Sequence, residues 1–453
     1  MMSGPGLTAR LAAFACDSPP GAAPACVREI ARLSLADWLA CALAATGEPV
    51  ARTARKAAEA EGGVPQASTI GTATRLPARA AALVNATTGH ALDYDDTHFL
   101  HIGHVTTVVA PAALAVAERE GATLAAALDA CLLGAEAACR VGDWLGRAHY
   151  NAGFHQTGTA GAFGATLAAA RLMGLDTATA THALGLASTR AGGLKTQFGT
   201  MGKPLNAGFA AATGVECATL AALGATSCAS ALERPRGFAE THAGALTDPA
   251  AALDGLGETW VFASVSHKLH ACCHGTHAAL EALARLRDSL DPAGVERVTI
   301  ATNPCWMTVC DIARPATGLE AKFSYRLTAA MALTGTDTAA MASFDDALCI
   351  RPDLVALRDR VEAVADPAVA DTAARVSITT RDGRRLDAAH DLAAPTEPAT
   401  RARRLRAKAE ALIGAPRTEA LWSALAKAGP DTPARMLGAL LARPPEATAR
   451  GAA

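Results

Sequence analysis

Aromatic side chains are scarce in this chain. Three Tyr, five Trp and ten Phe make up 4% of 453 residues, although 51% of the chain is apolar. A large interior must therefore be assembled from Ala, Leu and Val. Small side chains let helices approach closely and Ala is the best helix former, so packed helices are expected rather than a β-rich body. Neither sign of charge dominates: the formal net charge is −2 with a pI near 6.7, and Lys and Arg are scattered. That leaves no basic face for nucleic acid or for an anionic membrane. Long apolar runs are lacking too. Ala122 to Ala138 is broken by Asp129 and Glu136, and no segment reads as a membrane span. The opening MMSGPGLTARLAAFACDSPP is too weakly apolar for a secretory signal. No CxxC occurs among the 12 cysteines, and Cys131, Cys139 and Cys217 sit inside apolar helical patterns. Reduced thiols in a cytoplasmic protein are the expectation.

The length exceeds one ordinary hydrophobic core, so two domains are expected. Apolar residues recur at helical spacing in Ala110 to Glu118, Leu124 to Cys139, Ala160 to Leu172 and Leu205 to Leu223. Pro111 and Pro204 are each expected in a first turn, where a missing N–H costs nothing. Past Gly257 the character changes. Val295 to Thr302 and Ala374 to Thr380 alternate and are β-branched, and Asp382-Gly383 is a hairpin signal. Phe323 to Leu333 and Pro352 to Val364 look helical between them. The fold class expected is mainly α with a smaller α+β domain: a helical domain over 1–262, a lid-like α+β domain over 263–391, and a helical return over 392–453.

Four stretches concentrate the titratable residues. In Gly89-His-Ala-Leu-Asp-Tyr-Asp-Asp-Thr-His98, continuing through His101 to His104, a helix would put Asp93 and Thr97 on one face, with Asp95 pointing elsewhere. A carboxylate beside a histidine fixes its tautomer and raises its basicity, as acid–base catalysis requires. A metal is the rival reading, because His98, His101 and His104 recur every three residues beside Asp95 and Asp96. A solvated helix end is the bland one. Gly153 to Ala165 reads as a loop entering a helix capped by Thr157 or Thr159, with His155 just before it and no phosphate-loop spacing. In Phe198-Gly-Thr-Met-Gly-Lys-Pro-Leu-Asn206 the cationic Lys203 opposes the helix macrodipole unless an anion is present. It either points to solvent or helps hold a carboxylate. Ser266 to His277 packs four His, two Cys and Lys268 into twelve residues. Zinc is the alternative there, with Cys305 and Cys310 the only other nearby ligands.

Taken together, HALDYDDTH, HVTTVVAPAALA, GFHQTGTAGAFGA, GTMGKPLNAGFAA, HKLHACCHGTHAALEAL and AKFSYRLTAAMAL, in this order, resemble the MmgE/PrpD family. This family includes 2-methylcitrate dehydratase, cis-aconitate decarboxylase and iminodisuccinate epimerase. The resemblance implies an active site between a helical domain and a lid, usually a homodimer, and neither metal nor organic cofactor. By motif it assigns Asp93, Thr97, His104, His155, Lys203 and Lys268 to that site, with a small anionic carboxylate as substrate. His104 would be the leading acid/base, oriented by Asp93, with His155 the second. Lys203 and Lys268 would hold carboxylates, and Thr97 would hydrogen-bond the substrate. Two departures stand out. Val105 replaces the usual Pro after His104, and Leu327 occupies the position where the decarboxylase-like pattern has Tyr. Tyr325 lies two residues away, about 200° around a helix, and inherits no role. The expected activity is therefore a hydro-lyase, with an epimerase or racemase as alternative, a cis-aconitate-type decarboxylase after those, and a silent helical binding protein outside the class.

Overall fold

The computed structural model describes residues 6–245 and 248–442. It is mainly helical with a smaller α+β part, and divides into two compact units. One unit runs to His267 and takes in the chain again from Ile413; the other is Lys268–Leu412.

The first unit is a bundle whose core is mostly alanine. The helices Leu124–Asn151 and Gln156–Leu172 meet at a glycine pair. A Cβ on Gly134 would stand 2.5 Å from the Gly164 carbonyl, and one on Gly164 2.4 Å from the Gly134 carbonyl. Close backbone approach is how an interior poor in aromatics reaches native density. Gly202–Ala222 packs on the other side of Gln156–Leu172, and Ala78–His90 packs on Gly202–Ala222. Phe163 is fully buried, with its ring edge-on to Phe238 at 5.0 Å. A buried ion pair, Arg140–Glu136 at 2.6 Å, pins a long connection. Arg140 donates to the carbonyls of Ala252, Asp254 and Thr259, and Glu136 accepts from the N–H groups of Val261 and Phe262. A two-stranded ribbon, β1 (Ala67–Ser68) with β2 (Arg75–Leu76), completes this unit with the helix Ala415–Ala426, which packs on Ala25–Ala44.

Ala25–Gly47 is long and apolar enough to cross a membrane by composition, contrary to the expectation of no such segment. Its most apolar 18-residue window is 78% buried within the fold, as in a core helix. Pro111 falls inside the helix Thr106–Glu120, not at its start, so that helix forgoes one internal bond. Pro204 does lie in the first turn of Gly202–Ala222.

The second unit holds β3 (Val295–Thr302), β4 (Val361–Ala365), β5 (Ala373–Thr380) and β6 (Arg385–Asp391) in the order β4-β3-β5-β6. β3 is parallel to β4 and antiparallel to β5. Val298, Ile300 and Thr302 face Ile378, Val376 and Ala374, all buried. β5 and β6 form the expected hairpin at Gly383, whose φ of 85° suits glycine. The segment Pro352 to Val364 is not one helix: it is helical only to Arg358, then enters β4. Val361, Ala363 and Val364 are short and apolar, and periodicity alone cannot separate a buried strand from a helix turn. The helix Pro398–Ile413 joins this unit through Arg404, 3.1 Å from Glu281.

Candidate active site

The helix Ala78–His90 stops at His90, and residues 91–96 turn instead of continuing it. Asp93 adopts a left-handed conformation, φ 50°, that Asp tolerates better than most residues. The expected helical face shared by Asp93 and Thr97 therefore does not exist. Asp95, expected to point away, is instead fully buried at the centre. It lies 3.0 Å from Nδ1 of His90 and 3.0 Å from Nδ1 of His104. Asp93 Oδ1 receives Lys203 Nζ at 2.8 Å and His104 Nε2 at 3.3 Å. The helix start that sequence reasoning found mismatched to a cation thus presents Lys203 to a carboxylate, that of Asp93.

His155 completes the group. It is the N-cap of Gln156–Leu172, a place expected for Thr157 or Thr159. Those threonines lie inside the helix and serve other partners. Thr157 Oγ1 accepts the His104 backbone N–H at 2.9 Å, and Thr159 Oγ1 meets His149 Nε2 at 2.8 Å. Gly103 makes the first contact possible, since a Cβ there would be 2.9 Å from Thr157 Oγ1. The His90 ring lies 4.4 Å from that of His104 and 6.1 Å from that of His155. Phe198 covers the outer side, edge-on to His155 at 5.0 Å and with Lys203 Nζ 5.5 Å from its ring.

The electrostatics separate the imidazoles. Burial opposes protonation of His104, yet Asp95 and Asp93 outweigh it and its pKa is raised. Burial lowers His90 to about 4 despite Asp95. Burial, helped by the Lys203 charge, holds His155 well below the usual histidine value. Asp95 loses solvation by burial, but His104 and His90 keep it well below the ordinary carboxylate range. The surroundings thus favour the charged form at His104 and the neutral form at His90 and His155.

The remaining expected residues are placed as follows. Thr97 bridges main chain to main chain with Ser266, at 2.9 and 2.8 Å. Lys268 belongs to the second unit, where it is buried and its charge bears on Cys272 and His277. His98 and His101 leave the site. His98 Nε2 bonds the Val261 carbonyl at 2.8 Å and His101 Nδ1 the Ala138 carbonyl at 3.0 Å. The run His98, His101, His104 is thus not a ligand set. In Ser266 to His277 the rings of His270 and His274 lie 5.0 and 4.6 Å from that of His277, and only His267 turns away. His267 pairs with Ser34 at 2.9 Å, while His270 lies between Thr338 and Glu281 at 2.7 and 3.1 Å.

Among the described residues, His90, Asp93, Asp95 and His104 alone bring three or more potential ligands together, within 4.8 Å of one another. Two imidazoles and two carboxylates are a donor set that suits a divalent metal. Here, however, Lys203 already sits on Asp93, and Asp95 is shared by two Nδ1 atoms. A metal would have to displace the ammonium and rearrange both rings. Sequence reasoning missed His90 and Asp95 as site residues. Their spacing of five carried no helical signal, and only the turn after His90 brings them face to face.

A cis-aconitate decarboxylase-like protein of Aspergillus oryzae is 31% identical over 296 residues, 62% of this chain and 61% of the relative. A cis-aconitate decarboxylase of Aspergillus terreus is 30% identical over 62% of this chain and 60% of its own length. The human cis-aconitate decarboxylase is 29% identical over 64% and 62%. The matched region thus spans about three-fifths of the length of these relatives. The sequence pattern of the MmgE/PrpD N-terminal domain matches residues 9–247 and that of the C-terminal domain residues 270–420, and the chain belongs to the MmgE/PrpD family.

Proposed function

We propose that this protein is a lyase that removes CO2 from a small unsaturated polycarboxylate of the cis-aconitate kind, needing neither metal nor organic cofactor. In such a substrate the electron pair of the breaking C–CO2 bond forms a new C=C. The former alkene carbon beside another carboxylate takes up one proton. The reaction thus consumes a proton and requires no base.

The observation that carries this reading is the position of Asp93 Oδ1. Lys203 and His104, whose pKa is raised, converge on that single oxygen, and Asp93 is the partly exposed member of the cluster at 35%. A substrate carboxylate arriving there would meet an ammonium and an imidazolium. The first stabilises charge that grows as CO2 leaves, an interaction stronger in the transition state than in the ground state. The second supplies the proton, a contribution of about 10²–10⁴-fold. Lys268 is assigned a further substrate carboxylate on the strength of its motif. The decarboxylase relatives add to the case.

Dehydration of a 2-methylcitrate-like hydroxy acid is the second reading. It is favoured by Leu327 at the decarboxylase tyrosine position, and by the commitment of Tyr325 elsewhere. Its hydroxyl bonds Gly275 O at 2.7 Å and Thr302 at 2.9 Å. Proton NMR in deuterated water with cis-aconitate, 2-methylcitrate and amino- or iminodicarboxylates separates the possibilities. Decarboxylation incorporates one deuteron with loss of CO2. Dehydration yields an alkene from the hydroxy acid, and epimerisation exchanges Cα without either. No turnover of any acid in the panel would remove the enzymatic reading.

A further inference from the structure

His155 is held from two sides by neighbouring backbone. Its N–H donates to the Gly193 carbonyl at 2.9 Å. One residue on, the Leu194 carbonyl lies 3.3 Å from Asn206 Nδ2, and the same Nδ2 lies 3.2 Å from Nδ1 of the His155 ring. A carbonyl can only accept. The Leu194 oxygen therefore dictates which end of the Asn206 amide faces it, because a flipped amide would set two oxygens against each other. With the NH₂ so oriented, one N–H serves Leu194 and the other points at His155 Nδ1. That nitrogen must present a lone pair. A neutral imidazole carries a single proton, which is then on Nε2.

The ring is kept neutral by its surroundings: it is 2% exposed, with the Lys203 ammonium among the charges acting on it. Asn206 is itself buried, at 7% exposure. It lies three residues after Lys203 in the first turns of Gly202–Ala222, so the two share a helix face. One short stretch, Lys203-Pro-Leu-Asn206, thus reaches both histidines: Lys203 joins His104 through Asp93, and Asn206 meets His155 directly. The loop that completes the clamp passes close. Gly193, at φ 140°, would bring a Cβ within 3.3 Å of the Asn206 amide carbon.

We propose that Asn206 is a positioning residue that fixes neutral His155 as the Nε2–H tautomer, so that His155 offers the substrate a hydrogen bond and not a base. Its role in turnover rests on the decarboxylase reading above, whereas its tautomer does not. In that reading His155 holds the carboxylate on which negative charge accumulates, and the proton comes from His104. A neutral donor suits this task, since it stabilises the charge without parting with its proton. A dehydratase that used His155 as its base would need Nε2 to take a proton from carbon, which the Nε2–H form cannot do.

The test is a nitrogen–proton correlation spectrum of the full-length protein labelled with ¹⁵N-histidine, the His155 signals being those missing from His155→Gln. The wild-type ring should show an unprotonated Nδ1 and a protonated Nε2. In Asn206→Asp the new carboxylate accepts from Nδ1–H, so protonation should move to Nδ1. Asn206→Ala should give a mixture of tautomers. Wild-type His155 protonated on Nδ1, or a pattern unmoved in both variants, overturns the proposal whatever the enzyme turns out to catalyse. If either variant fails to fold, the wild-type spectrum still decides the tautomer. With a turned-over acid in hand, Asn206→Asp should lower kcat at least ~10-fold with KM changed far less. An unchanged kcat beside the expected spectra would leave the tautomer intact but overturn its part in turnover.

Discussion

Asp95 stands 3.0 Å from Nδ1 of His90 and 3.0 Å from Nδ1 of His104, sealed from solvent. Two rings thereby sit beside one carboxylate, and the ring that also reaches Asp93 is the one whose pKa is raised. Asp95→Asn keeps the shape and removes the charge. His104 should then lose its proton at lower pH, and turnover should fall about 10²–10⁴-fold. The pH–rate profile is the measurement: its alkaline limb should shift to lower pH. A profile that drops in height without moving would show that Asp95 serves only packing.

Lys203→Ala should weaken the capture of a substrate carboxylate by the loss of one charge-assisted hydrogen bond, about 1.5–3 kcal/mol, or roughly 10- to 150-fold in kcat/KM. Lys268→Ala is expected to behave alike. Steady-state kinetics on whichever acid is turned over checks both. Full activity in Lys203→Ala would remove the anion-binding part of the proposed function.

Stability should depend on pH chiefly through histidines buried without charge. Burial lowers His90 and His98 to about 4 and His101 to about 3. Unfolded, each would bind its proton near 6.5. The folded state therefore binds fewer protons below that value, and their contribution is complete above pH 6.5 and lost as the pH falls through 4. His104 has the opposite sign: its pKa is raised, so its contribution is present below 6.5 and fades as the pH rises through its folded value. Melting temperature should decline steadily from pH 6.5 to 4, and His98→Gln should flatten the decline. An unchanged slope in that variant would contradict the assignment.

Asp96 is buried close to Asp95 and Asp37. Burial raises its pKa to about 7, although Thr106 donates to it. A raised carboxylate pKa means stability is lost as the pH climbs from about 4 through 7. Asp96→Asn keeps an acceptor for Thr106 and removes that loss, so the variant should melt higher than wild type at pH 8 and about equally at pH 4. Thermal scans at the two pH values settle it.

Breaking the buried Arg140–Glu136 pair by Arg140→Met should cost about 3–5 kcal/mol in urea unfolding, because Glu136 would stay buried with its charge uncompensated. A loss under about 1 kcal/mol would mean the connection from Ala252 to Phe262 is held by other contacts.

Much of this architecture was legible in one dimension. The Ala-rich periodic stretches became helices, β3 and β5 alternate as written, and Asp382-Gly383 closes their neighbouring hairpin. Asp93 meets both His104 and Lys203. Other features were hidden because the signal that governs them is not periodic. The turn after His90 reverses which acidic residue faces inward. His98 and His101, three residues apart and rich in ligand atoms, are spent on the carbonyls of Val261 and Ala138.

Composition alone dictated that the interior would be built from small side chains on closely packed helices, since so few aromatics leave no other way to fill it. Residue chemistry likewise placed a cation at a helix start that had either to face solvent or to meet an anion. Which anion answers it, which of two aspartates lies between the histidines, and which nitrogen of His155 carries the proton were decided only in three dimensions. Those outcomes depend on directions of side chains and carbonyls contributed by segments dozens of residues apart, and a linear sequence does not encode direction.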